Sequence, residues 1–330
     1  MKKILSTLAI ILAGTQLFAT VRTCNNNNPS PGQYSTFASV MAASSSGDTI
    51  YLSGSPVSYG NVTINSYVRI FGTGYNPQKQ NPLVSQFTSV TTSGCWLYGI
   101  VTGSIQFNTT VGNIHLIRCI ADSITTNGYG ADLYATGCVI KGLIDYHTGS
   151  DFFEIYNCII ADRILLTNFS SHKKLKNNVF VGGSLNFMTN YSGLTGGAIV
   201  SNNVFYGLIP DVTGIASADK GIFTHNISYI NTFPDDDGNN IVANPLFVNV
   251  PIGTTAYNPA HDYHLQATSP GVLNLGDDLT QRGIYGSILP NTFSVTGMPG
   301  IPSIQTMSVT PSTVLSGQSI QVNFSSKTNQ

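Results

Sequence analysis

The sequence predicts an all-β parallel β-helix, and three observations carry that expectation. First, six segments between Ile114 and Ser228 share one register: LIRCIA, ATGCVI, IYNCII, LKNNVF, VSNNVF and FTHNIS. Their fourth residues, Cys119, Cys138, Cys158, Asn178, Asn203 and Asn226, follow one another at intervals of 19, 20, 20, 25 and 23 residues. A period in that range marks a solenoid, in which each unit buries its apolar face against its neighbours. Second, apolar residues keep fixed offsets. Leu116, Ala135, Ile155, Leu175, Val200 and Phe223 stand three before the fourth residue, and Ile120, Val139, Ile159, Val179, Val204 and Ile227 one after it. Third, the units are too short for a helix pair. β-Branched residues, Asn and the 33 Gly of the chain favour short strands and tight bends.

The 330 residues, 42% of them apolar, suffice for one elongated domain with a continuous core. Only 9% are charged, and 14 basic against 15 acidic residues give a net charge of −1. Without a basic run, nucleic acid and anionic membrane are poor partners. A surface of Asn, Ser, Thr and 16 Tyr suits uncharged or weakly charged glycans in an extracellular setting. It suits equally a solenoid whose turns consume such residues.

Residues 1–19 read as an export signal: Lys2 and Lys3, the apolar run Ile4 to Leu12, and Ala19 as the cleavage residue. The run is too short to span a bilayer comfortably, so the mature chain is expected to carry no transmembrane segment and to be secreted or on the cell surface.

Residues 20–33 form an Asn- and Pro-rich lead-in without periodicity. Tyr34, Phe37, Val40 and Met41 then recur at helical spacing and predict a short helix. Short strands TIYL, NVTI and VRIF follow the Gly47-Asp48 turn, with a loop at Gly72, Gly74, Asn76 and Pro77. Gly99 lies 20 residues before Cys119 and is assigned the same register position. Tyr191–Ala198 and Pro210–Asp219 read as insertions on one side of the solenoid. In FPDDDGNN, Asp235, Asp237 and Asn239 are calcium-ligand types, but their spacing and the lack of a later Glu do not fit an EF-hand. The segment reads as a surface turn, and no cofactor is expected apart from calcium at that turn. NPLFVNV and DYHLQ are strand-like. In residues 290–330, IQTMSVT and SIQVNF flank PSTVLSGQ and predict a β-hairpin, or the start of an immunoglobulin-like domain. The organisation is thus 1–19 signal, 20–289 solenoid and 290–330 hairpin.

The rungs, the opening GDTIYLSGSPVSYGNVTI and the closing NPLFVN and DYHLQATSPG resemble the right-handed parallel β-helix proteins of the pectate-lyase-like superfamily, secreted bacterial members especially. The resemblance runs from about Tyr34 to Ser287. It implies a right-handed solenoid, a helix capping its N-terminal mouth, a terminal coil from TSPGVLNLGDD to RGIYGS, and polysaccharide along an outward sheet face. It is specific for fold and says little about activity, since the superfamily holds lyases, hydrolases, esterases, adhesins and binding modules.

Strand side chains alternate inward and outward. With the positions three before, at and two after the fourth residue inside, those four and two before face outward. The first outward column holds His115, Tyr134, Glu154 and Lys174; the second holds Ile117, Thr136, Tyr156, Lys176, Ser201 and Thr224. Tyr134 and Tyr156 are the candidate glycan-binding residues. His115, Glu154, Lys174 and Lys176 are the candidate acid–base groups. An ordinary solvated face is the competing reading, with a Glu154–Lys174 pair worth under about 1 kcal/mol.

These columns offer one carboxylate and no Arg. The resembled lyases use several carboxylates with calcium and an Arg, and the hydrolases clustered Asp. Asp122, Lys141 and Asp162 read as turn residues, and His261, Asp262 and His264 as structural. Cys119, Cys138 and Cys158 read as stacked small hydrophobes; a disulfide between two of them, or between Cys24 and Cys95, stays open. The favoured function is a non-catalytic module binding polysaccharide, cell-surface glycan or a partner on the outward face. The alternatives are a polysaccharide lyase or glycoside hydrolase at that face, and a structural spacer.

Overall fold

The computed structural model describes residues 19–30, 33–75, 83–90, 93–107, 111–126, 131–146, 152–166, 173–182, 185–187, 198–207, 210–211, 222–229, 239–287, 293–299, 302–310 and 321–328. The export signal lies outside them except for Ala19, as do Asp235, Asp237 and most of both insertions.

Each complete coil passes through three short strands. One coil consists of Ala131–Thr136, Val139–Ile140 and Ile144–Tyr146. It stacks in parallel on the next coil through Tyr134 opposite Glu154, Val139 opposite Ile159 and Ile144 opposite Ile164. Ten parallel strands, from Val21–Cys24 to Ile222–Thr224, make the first sheet. The second sheet has 14 strands. It splits into two walls where Ile120–Thr125 pairs with both Val139–Ile140 and Ile144–Tyr146. The molecule is a parallel β-helix, and the predicted inward positions fill one cluster running from Cys24 to Phe223.

The fourth residues form a single hydrogen-bonded column at the corner between the sheets. The Cys119 N–H donates to Cys138 Sγ at 3.4 Å, and the Cys138 N–H to Cys158 Sγ at 3.3 Å. The Cys158 N–H donates to Asn178 Oδ1, Asn178 to Asn203, Asn203 to Asn226 and Asn226 to Asn240, each at 2.9 Å. The Nδ2 groups of Asn178, Asn203 and Asn226 donate back to carbonyls of Ile155, Leu175 and Val200. A buried N–H at a sharp corner needs a partner, and the side chain one coil further on supplies it. All five cysteines are buried and free, so Cys24 and Cys95 are not bridged.

The residue before each ladder position from Cys119 to Asn226 is left-handed, as is Gly99 one coil earlier. Gly99, Arg118, Gly137, Asn157, Asn177, Asn202 and His225 have φ between 52° and 64°. Gly and Asn enter that region at the lowest steric cost, which explains their recurrence there. Gly99 belongs to this corner column rather than to the ladder. Tyr98 pairs with Ile117, so Ile100 stands opposite Cys119. Counting 20 residues back landed one position short because that coil is one residue shorter.

Two further expectations need correction. The lead-in contains Val21–Cys24, the first strand of the first sheet, paired with Thr49–Leu52. Four residues are too few for a periodic signal. What fixes them is Asp48, 1% exposed, which accepts from the Thr20 N–H at 2.6 Å, the Ser45 N–H at 2.9 Å and Arg22 Nε at 2.9 Å. Helix α1 (Phe37–Ala43) starts at the N-cap Thr36, buries Phe37, Val40 and Met41, and packs on Val21–Cys24 and Asn61–Ile64.

The predicted terminal coil is instead a strap. After the antiparallel pair Phe247–Asn249 and Asp262–Leu265 and helix α2 (Pro270–Leu273), the chain runs back along the outside of the solenoid. Arg282 donates to the Asn226 carbonyl, the Gly283 N–H to the Asn202 carbonyl, Asn157 Nδ2 to the Ile284 carbonyl and Arg118 to the Met298 carbonyl. Thr296 ends this descent at the N–H of Tyr75. The cause is the outward apolar column Ile120, Val139, Ile159, Val179 and Val204. Phe247, Tyr263, Ile284 and Phe293 close over it in a second core. A hairpin follows, with Pro302–Thr310 paired antiparallel to Gln321–Thr328. It begins three residues after Pro299, which packs at Gly99, and so starts from the N-terminal half of the solenoid.

Asp48→Ala should cost about 3 kcal/mol, since it strands Arg22 and two N–H groups. Burial alone would raise the Asp48 pKa, but the Ser45 and Thr20 N–H groups and Arg22 outweigh it and lower it. A depressed carboxylate stabilises fully above its unfolded value and loses that contribution as pH falls through the folded one. Hydrogen-exchange protection of Val21–Cys24 should therefore fade on acidification below about pH 4. In the ladder, Asn203→Ala should cost about 3 kcal/mol and Cys138→Ala about 1 kcal/mol, because amide bonds are stronger than bonds to sulfur. Denaturant midpoints compare the two.

Candidate functional site

Parallel stacking lines up the outward residues of the first sheet in two columns. One runs Arg69, Trp96, His115, Tyr134, Glu154, Lys174. The other runs Tyr51, Phe71, Tyr98, Ile117, Thr136, Tyr156, Lys176, Ser201. Of the positions expected to face solvent, Ile117 and Ser201 are nonetheless buried.

The coil-to-coil rise of about 4.8 Å is close to aromatic stacking distance, and the rings use it. Ring centroids are 4.3 Å apart for Phe71 and Tyr98, 3.9 Å for Trp96 and His115 and 4.7 Å for His115 and Tyr134, with interplanar angles of 7°, 21° and 12°. Tyr51 stacks on Phe71 at 5.4 Å, and the Arg69 guanidinium lies 5.6 Å from the Trp96 centroid. Tyr134, a candidate glycan-binding residue, is one of the stacked rings. Its ring face is taken by His115, so the ribbon presents edges, hydroxyls and an indole N–H. His115 is bonded through Nε2 to Asn113 Oδ1 at 2.7 Å, and burial lowers its pKa.

Tyr156 is different. Its column neighbours are Thr136 and Lys176, and among the described residues no ring stacks on it. Burial pushes its pKa up first, followed by the negative charge of Glu154. Glu154 Oε1 also accepts from Lys174 Nζ at 2.9 Å. One coil on, Lys176 Nζ lies 2.8 Å from Asp277 Oδ1 and 3.8 Å from Asp278 Oδ2. Asp277 exchanges two bonds with the corner residue Asn202, at 2.6 and 3.0 Å. Burial would raise the Asp277 pKa; Lys176 and Asn202 outweigh it and hold it low. Thr280 binds Asp278 Oδ1 through both its N–H and hydroxyl.

These groups enclose a cleft of about 340 Å³, lined by Tyr156, Lys174, Lys176, Ile199, Ser201, Asp277, Asp278 and Ser287. One wall is the sheet and the other is the strap. The sequence reading therefore placed Tyr156, Glu154, Lys174 and Lys176 together correctly, and missed half of the site. The columns hold Arg69, contrary to the count of no Arg, and Asp277 and Asp278 join Glu154 as carboxylates. Both Asp residues come from a segment read as an ordinary terminal coil. The paired acidic residues in LGDD, between a buried Gly271 and a buried Arg282, were the available signal.

The other candidates fall elsewhere. Asp235 and Asp237 lie outside the described residues, and Asn239 stands just before the last ladder residue Asn240. Asp122 pairs with Lys141 at 3.1 Å, in keeping with turn residues of opposite sign. His264 bonds Asp262 at 2.6 Å and stacks on Tyr285 of the strap, a structural setting. Among the described residues no three His, Cys, Asp or Glu gather as a metal would need, and no helix is long and apolar enough to cross a membrane.

Fold and site together define an all-β solenoid with a strap-walled cleft on its first sheet. No family model matches the chain, and no curated protein or solved structure matches it either.

Lys176→Met should raise the Asp277 pKa, because burial then acts without the ammonium that offsets it. A carboxylate NMR titration of the two proteins checks this.

Proposed function

We propose that the chain is an exported, non-catalytic module of the right-handed pectate-lyase-like kind that binds a glycan along the first sheet, with Tyr156 at the cleft as its anchor. The observation that carries this reading is the unstacked ring of Tyr156. It is the tyrosine of this face that can offer a flat apolar surface to a sugar while hydrogen-bonding groups surround it. The ribbon from Trp96 to Tyr134 extends the contact with edges and hydroxyls. Export rests on Lys2, Lys3 and the apolar run after them. A binding role is favoured over catalysis because Glu154, Lys174 and Lys176 are each held in an ion pair. A general acid or base would have to leave its partner to act.

A glycoside hydrolase is the second reading, on one observation: the strap brings Asp277 and Asp278 to Lys176, next to the Glu154–Lys174 pair. Release of reducing sugar from a polysaccharide panel, abolished by Asp278→Asn, would favour it over binding.

On a glycan array and by calorimetry, Tyr156→Ala should weaken binding about tenfold, equivalent to roughly 1.4 kcal/mol. Tyr134→Ala should change it by less than about threefold, since stacking on His115 already occupies that ring. Equal binding by wild type and Tyr156→Ala would refute the proposed anchor.

A further inference from the structure

Resting on the glycan-binding reading, we propose that the cleft at Tyr156 takes an uncharged hexose unit at the end of its ligand, and that Ser201 Oγ is a specificity-determining contact to one of its hydroxyls. Two independent observations carry this: how the charges are paired, and an orphaned hydroxyl.

The cleft lining holds two lysines, Lys174 and Lys176, and two aspartates, Asp277 and Asp278. With Glu154, which pairs with Lys174 at the cleft edge, there are three carboxylates to two lysines, and each lysine is already engaged. Lys174 sits 2.9 Å from Glu154, and Lys176 sits 2.8 Å from Asp277. A uronate would have to displace a carboxylate from its lysine, and a free amino sugar would have to compete with Lys176 and Thr280 for Asp278. Either exchange trades one ion pair for another with no net gain and leaves a displaced charge behind. A sugar hydroxyl makes no such demand. It donates to a spare carboxylate lone pair or accepts one of the remaining ammonium protons, and the existing pairs stay intact.

Ser201 supplies the second observation. It lines the cleft, is 0% exposed, and its Oγ has no hydrogen-bond partner. A buried hydroxyl without a partner is uncommon and needs a reason. Its position is fixed on both sides, by pairing with Lys176 on one coil and Thr224 on the next. A ligand hydroxyl entering the cleft completes it, and a ligand lacking that hydroxyl leaves it orphaned. Sites built to bond a substrate hydroxyl discriminate more sharply than apolar pockets do. The volume, about 340 Å³, lies at the lower end of small-molecule sites, roughly 300–1,000 Å³, which suits a terminal sugar rather than a chain threading through.

The test uses the full chain and ligand-observed NMR with calorimetry. The probes are the methyl glycosides of glucose, galactose and mannose, against galacturonate and glucosamine. One uncharged methyl hexoside should bind and compete with the array glycan, with both charged sugars at least tenfold weaker. Ser201→Ala should fold with an unchanged melting temperature, because it removes an unpartnered hydroxyl, and should bind the hexoside about tenfold more weakly. Tighter binding of galacturonate or glucosamine overturns the inference. So does undiminished binding by Ser201→Ala while Tyr156→Ala still loses it, an outcome that leaves the glycan-binding reading standing. Wild-type protein that binds none of the probes or array glycans overturns both.

Discussion

One column of hydrogen bonds holds the architecture in step. From Cys119 to Asn240 every corner N–H finds its acceptor on the side chain one coil further along. That bond can form only if successive coils keep the same height and the same corner. The left-handed residue before each ladder position turns the chain into that corner, and alternation then decides which side chains point in and which point out. Sulfur accepts in two of these six bonds and an amide oxygen in four, and the change of chemistry does not interrupt the column. The amide coils are the stronger ones because Asn returns an N–H···O bond to the previous coil where Cys returns a weaker S–H···O contact.

Equal heights have a consequence outside the core. Side chains at one outward position repeat at nearly the stacking distance of flat rings, so aromatic residues placed there stack on one another. Stacking stabilises the sheet and removes ring faces from use. Tyr156 escapes because Thr136 and Lys176 occupy the positions on either side of it. The cleft beside it exists because the strap must cover an outward apolar column, and in doing so it carries Asp277 and Asp278 to the rim of the first sheet. Site and second core are products of the same segment.

Much of this was legible in the residues. The interval between Cys119 and Asn226, with apolar partners at fixed offsets, determined the solenoid, and the columns containing Tyr134, Glu154, Lys174 and Tyr156 followed from alternation. Some signals were present and unread. Ile120, Val139, Ile159, Val179 and Val204 sit one after an inward residue and so face outward, and an outward apolar column demands a cover. Asn157, Asn177 and Asn202, each just before a ladder residue, likewise announced the left-handed corner. Val21–Cys24 left no pattern at all, since its place depends on one carboxylate, Asp48, reached through a turn.

The sequence by itself determined the period, the ladder, the inward and outward columns and the hairpin, because each is a local pattern repeated at a fixed interval. The tertiary structure decided where the strap lies and which carboxylates meet Lys176. Those depend on contacts between residues some 75 to 180 positions apart, such as Asn202 with Asp277 and Arg118 with Met298. Spacing along the chain carries no record of such distances, because they are set by which apolar surface is left for the returning segment to bury.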